Sequence, residues 1–131
     1  RRQRQMCIET VLIADDEPHT VRILEVILNK FGCETLTALN GREVLEILRA
    51  HRSIDLIFLD LRMPVKDGYK VIEEIRKDEH LEDLPIIIIS AEGREKEIKR
   101  AMELGANGYI LKPFGLEDLS AVARKWLSRK D

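Results

Sequence analysis

Apolar residues along this chain fall into two rhythms. Four short runs are apolar throughout: Val11-Leu12-Ile13-Ala14, Leu56-Ile57-Phe58-Leu59, Ile86-Ile87-Ile88-Ile89 and Tyr109-Ile110-Leu111. Each is too short for an amphipathic helix, and several are β-branched, as parallel strands covered on both faces are. A fifth, weaker strand fits Cys33 to Thr37. Between the runs apolar residues recur three or four apart, the helical period. Val21, Leu24, Ile27, Leu28 and Phe31 mark a first helix, ended by Gly32, and Val44, Leu45 and Leu48 a second. Val71, Ile72 and Ile75 mark the third, Ile98, Ala101 and Met102 the fourth, and Leu116, Leu119, Val122 and Trp126 the fifth. This alternation predicts an α/β fold: a single doubly wound parallel sheet with right-handed crossovers and helices on both faces. The fourth helix, Arg94 to Leu104, has the thinnest apolar stripe and is predicted to be the most loosely held.

Composition narrows the setting. With 131 residues, 44% of them hydrophobic, the chain can bury the core of one domain without disulfides. Its 22 basic and 24 acidic residues nearly cancel, leaving a formal net charge of -2 and no general attraction to nucleic acid or anionic membrane. Functional charge must therefore be local. Residues 1–8 read as a basic tail or linker, residues 9–129 as the domain, and the start at arginine as a sign of a fragment or processed product. No run approaches the ~18 apolar residues of a spanning helix, and Arg1-Arg2-Gln3-Arg4-Gln5 is not followed by a signal-type apolar stretch, so a cytoplasmic protein is expected. Cys7 and Cys33 fit free thiols in a reducing compartment and receive no role.

In a doubly wound sheet the strand ends that precede helices share one edge, and ligands bind there. Asp15, Asp16 and Glu17 follow the first run, Asp60 the run ending at Leu59, Ser90 the run ending at Ile89, and Lys112-Pro113 the last. Two carboxylates ~4 Å apart repel by about 4 kcal/mol at a near-surface dielectric, so a trio of Asp15, Asp16 and Asp60 costs roughly ten. A hard divalent cation with oxygen ligands offsets this, and Mg²⁺, which bridges carboxylates to phosphoryl oxygens, fits best. Lys112 adds a point positive charge for phosphate. Taken singly, Asp15, Asp60 and Ser90 read as caps or turn residues, Lys112 as a solvated lysine, and Glu17 and Pro18 as first-turn residues of a helix. Their conjunction at one rim points to phosphoryl chemistry.

These positions resemble the response-regulator receiver domains (CheY-like) of two-component signalling, from about Thr10 to Ser128. The likeness rests on Asp15-Asp16, Leu59-Asp60-Leu61-Arg62-Met63-Pro64 with Asp67-Gly68 behind it, Ser90-Ala91, Tyr109 and Lys112-Pro113-Phe114. It implies a flavodoxin-like sheet of five strands in the order 2-1-3-4-5. It also implies that Asp60 is the phosphoacceptor, attacking the phosphohistidine of a histidine kinase or phosphotransfer protein. Asp16, the Asp60 carboxylate and the backbone carbonyl of Arg62 would ligate Mg²⁺, with Asp15 acting mainly through metal-bound water. Ser90 and Lys112 would hold phosphoryl oxygens, with the Lys112–Pro113 bond cis. Ser90 and Tyr109 would form the switch that remodels the face of the fourth helix, fifth strand and fifth helix. A downstream effector protein or domain is the implied output partner, with a phosphorylation-dependent homodimer a further one the family allows.

Arg62 and Glu92 are expected to flank the phosphoryl entrance and to pair across it. Two rivals stay open: a phosphate-independent interaction module, and a haloacid-dehalogenase-type phosphatase with an Asp nucleophile. The second fits less well, because there is no DxD and the acidic pair precedes the nucleophile. No helix-turn-helix or second catalytic unit follows Trp126, so the output is expected to lie in a partner or in another part of a longer regulator or hybrid kinase.

Overall fold

A computed structural model describes residues 9–51, 53–63 and 67–127; the basic tail, Cys7, Pro64 and the residues from Ser128 on lie outside them. Five parallel strands, β1 (Thr10–Ala14), β2 (Glu34–Ala38), β3 (Leu56–Asp60), β4 (Ile86–Ala91) and β5 (Gly108–Lys112), lie in the order β2-β1-β3-β4-β5. They alternate with α1 (Pro18–Lys30), α2 (Gly41–Ala50), α3 (Gly68–Lys77), α4 (Glu95–Leu104) and α5 (Leu116–Trp126). The predicted order and both helical layers are thus present. No described helix is long and apolar enough to cross a membrane.

Strand burial explains which runs were easy to read. β3 is buried at every position and β1 at all but its first, because both are covered on two faces. The edge strands β2 and β5 each bury one residue, so their apolar signal is diluted. Three strands extend past their apolar runs, β3 to Asp60, β4 to Ala91 and β5 to Lys112, because the ladder uses backbone groups whatever the side chain. β2 sits one residue later than predicted.

Alternating side chains divide the core in two. Leu12, Ile57, Leu59 and Ile88 pack with Val44, Leu48, Val71 and Ile72 on one face. Val11, Ile13, Phe58 and Ile87 pack with Leu24, Leu28 and Leu119 on the other. Caps hold the helix starts: Asn40 Oδ1 accepts from Glu43 N at 2.9 Å, and Asp67 Oδ1 from Tyr69 N at 2.8 Å.

The expectation that α4 is the most loosely docked needs amendment. α4 buries Ile98 and Ala101, whereas α5 buries Leu119 alone among its described residues. The strand that α4 precedes and α5 follows, β5, lies at the edge of the sheet. Met102 and Leu116, read as core positions, are exposed, as is Phe31, which caps α1 rather than lying within it.

One side chain fastens the end of α4. Arg76 Nε and Nη2 donate to Gly105 O at 3.0 and 2.9 Å, Nη1 to Leu81 O and Glu82 O at 3.1 Å, and Nη2 to Asn107 Oδ1 at 2.8 Å. Asn107 Oδ1 also accepts from Ile86 N at 2.8 Å, at the start of β4. Gly105 has φ of 125°, a region open to glycine, and an added Cβ there would lie 2.8 Å from Arg76 Cγ.

Candidate functional site

Sheet register assembles the site. Ala14 pairs with Leu59, Asp60 with Ile89, and Ser90 with Leu111, so successive strand ends carry Asp15, Asp60, Ser90 and Lys112 to one rim. Asp15 is fully buried, Asp60 is 8% exposed, and Asp16 is exposed beside them. Each of the three offers a carboxylate oxygen within 4.8 Å of the others. Backbone N–H groups fix the two buried carboxylates: Glu17 N donates to Asp15 Oδ1 and Arg62 N to Asp60 Oδ1, both at 2.9 Å. The second oxygen, Asp15 Oδ2, is buried without a hydrogen bond.

Such an oxygen is costly unless something positive meets it. Lys112 Nζ approaches to 3.5 Å but stands nearer Glu17 Oε1, at 3.1 Å. Burial, and after it the Asp60 charge working against the Glu17 N–H bond and Lys112, pushes the Asp15 carboxyl up to about 6. The orphaned oxygen and the crowded carboxylates fit a hard divalent cation, which takes oxygen ligands and favours the ionised form. Burial opposes the charge on Lys112, yet Glu17, Asp15 and Asp60 outweigh it and raise its pKa, so the ammonium stays charged.

Two sequence expectations are corrected here. Glu17 is not a first-turn residue of α1: Pro18 opens the helix and Glu17 precedes it as cap. Its carboxylate accepts from Thr20 Oγ1 at 2.8 Å as well as from Lys112, and the Thr20 bond followed by Lys112 lowers its pKa. Arg62 does not pair with Glu92. The chain turns at Glu92–Gly93, leaving Glu92 exposed, and α4 opens at Glu95 with Glu97 in its first turn. Arg62 Nη2 accordingly donates to Glu97 Oε2 at 2.9 Å.

Asp60, Ser90 and Lys112 border a cavity of about 90 Å³ whose exposed side carries Arg62, Arg94 and Glu97. Tyr109, on the edge strand, is 51% exposed and lies outside it. The Lys112–Pro113 peptide is cis. Glu97 and Arg94 were missed because a charged pair in the first turn of a polar helix looks like any solvated face.

Gly68, the first residue of α3, packs closely on Leu61 beside Asp60. A Cβ there would lie 2.8 Å from Leu61 Cα, a backbone atom with little room to yield. Gly68→Ala is expected to destabilise by about 1–3 kcal/mol through overpacking. Denaturant midpoints of the two proteins check this, and an unchanged midpoint would show that the backbone there adapts.

The family model described as "Response regulator receiver domain" matches residues 11–124. A curated relative, "Probable transcriptional regulator ycf27" of Porphyra purpurea, is 42% identical over 123 residues, covering 94% of this chain and 49% of the relative. The chain thus spans about half the length of that relative. Among solved structures, the chemotaxis response regulator CheY4 of Vibrio cholerae aligns with a TM-score of 0.85 at 28% identity, over 92% of this chain and all of that one. The receiver domain of sensor histidine kinase PA1611 from Pseudomonas aeruginosa, which has a magnesium ion coordinated in its active site cleft, aligns with a TM-score of 0.83 at 28% identity over 92% and 98% of the two chains.

Proposed function

The chain belongs to the response regulator receiver domain family, the signalling modules of two-component systems, and from that premise we propose that Asp60 is its phosphoacceptor. The observation that carries this is the closure of Asp15, Asp16 and Asp60 within 4.8 Å of one another, with Lys112 beside them. A phosphatase reading has no comparable support once the family is known.

Asp60 is held by the Arg62 N–H through one oxygen, which leaves the other as nucleophile. That oxygen forms the new O–P bond as the P–N bond to a donor imidazole breaks, the electron pair leaving with the nitrogen. Attack by a carboxylate oxygen needs no general base. Lys112 is already charged, and its move from Glu17 toward a phosphoryl oxygen exchanges one anionic partner for another. Ser90 supplies a hydroxyl donor from the end of β4. Asp15, Asp16, Asp60 and the Arg62 carbonyl would hold Mg²⁺. Bound there, it supplies positive charge that offsets the charge of the transferring group.

Readout follows from position. Ser90 borders the pocket while Tyr109 projects from β5 next to α4, so the α4–β5–α5 face is the surface an acceptor site at this rim can remodel. The partners are a histidine kinase or phosphotransfer protein upstream and an effector downstream. The chain acts as a switch that catalyses only its own phosphorylation and dephosphorylation.

Acetyl phosphate with Mg²⁺, followed by intact mass, tests the assignment. Wild type gains one phosphoryl group and Asp60→Asn gains none. Equal labelling of the two proteins, or release of labelling from Mg²⁺ dependence, would reject the proposed site.

A further inference from the structure

The cavity beside Asp60 has an exposed rim whose charges are already paired with one another. Glu97 Oε2 accepts from Arg62 Nη2 at 2.9 Å and from Arg94 Nη1 at 3.4 Å, so one carboxylate oxygen serves two guanidinium groups from different elements. All three side chains border the cavity that Asp60, Ser90 and Lys112 line from within. Glu97 is also where α3 meets α4: Tyr69 Oη donates to its backbone carbonyl at 3.3 Å, and the Arg100 guanidinium lies 4.1 Å from the Tyr69 ring centroid.

From this geometry we infer that Glu97 is an internal competitor of the phosphoryl group, holding Arg62 and Arg94 on its own carboxylate until a phosphoryl group displaces it. The inference rests on Asp60 being the acceptor. A phosphoryl group brings up to about two negative charges and three acceptor oxygens into the cavity. Guanidinium forks bind such an anion in bidentate fashion, which a carboxylate oxygen already shared between two donors does not match. Arg62 therefore changes partner from Glu97 to the phosphoryl.

The carboxylate left behind is not stranded. Glu97 lies in the first turn of α4, a helix whose cap residue supplies no side-chain acceptor, so the free N–H groups and helix dipole favour a negative charge there. Release is cheap, and it shifts charge at the α3–α4 seam. By linkage, any contact made only in the empty pocket opposes the filled one. Glu97 thus lowers affinity for a phosphoryl group by occupying the guanidinium groups that would receive it.

The experiment measures beryllofluoride binding, a phosphoryl-shaped anion, with Mg²⁺ present. Calorimetry is run on wild type, Glu97→Gln, Arg62→Ala and the double variant. Glu97→Gln keeps the shape and loses the charge, and it is expected to bind about two- to fivefold more tightly, the ratio set by an exposed ion pair of ordinary strength. The gain shrinks in the Arg62→Ala background, because the released partner is gone. A purely structural role would change the melting temperature without a tighter, Arg62-dependent affinity. Equal or weaker binding by Glu97→Gln, or a gain undiminished without Arg62, overturns the inference. If wild type takes phosphoryl on Asp60 while Glu97→Gln binds beryllofluoride no more tightly, only the role of Glu97 falls. If wild type takes neither phosphoryl nor beryllofluoride, the acceptor reading falls first and this one with it.

Discussion

Arg76→Ala lowers stability by about 3 kcal/mol, the range expected when a charged donor leaves several acceptors behind. The loss exceeds that of an ordinary surface arginine because Arg76 ties together three segments: the α4–β5 turn at Gly105 and Asn107, the carbonyls of Leu81 and Glu82 before β4, and its own helix. Burial depresses the Arg76 pKa and so works against the charge, which the bonds must overcome. For a domain of this size the melting temperature falls by about 10 °C. Arg76→Lys restores little, since an ammonium is a point donor without the planar fork. Thermal unfolding of both variants is the check. Full recovery by lysine would mean that charge alone matters at this position.

Asp15→Asn acts in the opposite direction. In the folded, metal-free protein the carboxyl keeps its proton up to about pH 6, whereas an unfolded aspartate gives it up near ~4. Between those values the folded state holds more protons, so stability falls as pH rises through that window, and the penalty is complete above it. The asparagine oxygen still accepts from Glu17 N, as Asp15 Oδ1 does, without adding charge beside Asp60. At pH 7.5 without divalent cations, the variant is expected to be more stable than wild type by about 2–3 kcal/mol, following from the conversion of a shift of this size. Excess Mg²⁺ closes the gap by stabilising wild type in proportion to its binding, and the variant responds weakly. Chelator-treated samples melted with and without Mg²⁺ at pH 5 and 7.5 test both halves. A variant less stable than wild type at pH 7.5 without metal would remove the electrostatic account of this cluster.

The sequence disclosed the sheet because its central strands are uniformly apolar: Leu56 to Leu59 and Ile86 to Ile89 have no competing helical reading. It disclosed the pocket because sheet topology turns distant strand ends into neighbours, which made Asp15, Asp60, Ser90 and Lys112 readable together. What stayed hidden depends on side-chain reach. Arg62 and Glu97 are 35 positions apart, and the turn at Glu92–Gly93 decides that Glu97, not Glu92, meets the guanidinium. Glu17 and Lys112 are 95 apart, and nothing local distinguishes an acid that caps a helix from one that also anchors a lysine. Arg76 gave no signal in the sequence because four of its five bonds go to backbone carbonyls, which leave no trace in residue type.

The unequal fastening of α4 sets the form any displacement of that helix takes. One terminus is bolted to the backbone by a guanidinium; the other is tethered by ion pairs open to solvent and one long hydrogen bond from Tyr69. A rod so mounted resists sliding more than tilting. Ten residues of helix span about 15 Å, so a tilt of about 10° around the Gly105 end carries the Glu95 end by about 2.6 Å. Amplitude in such a tilt grows toward the pocket beside Asp60 and is least at the Gly105 end.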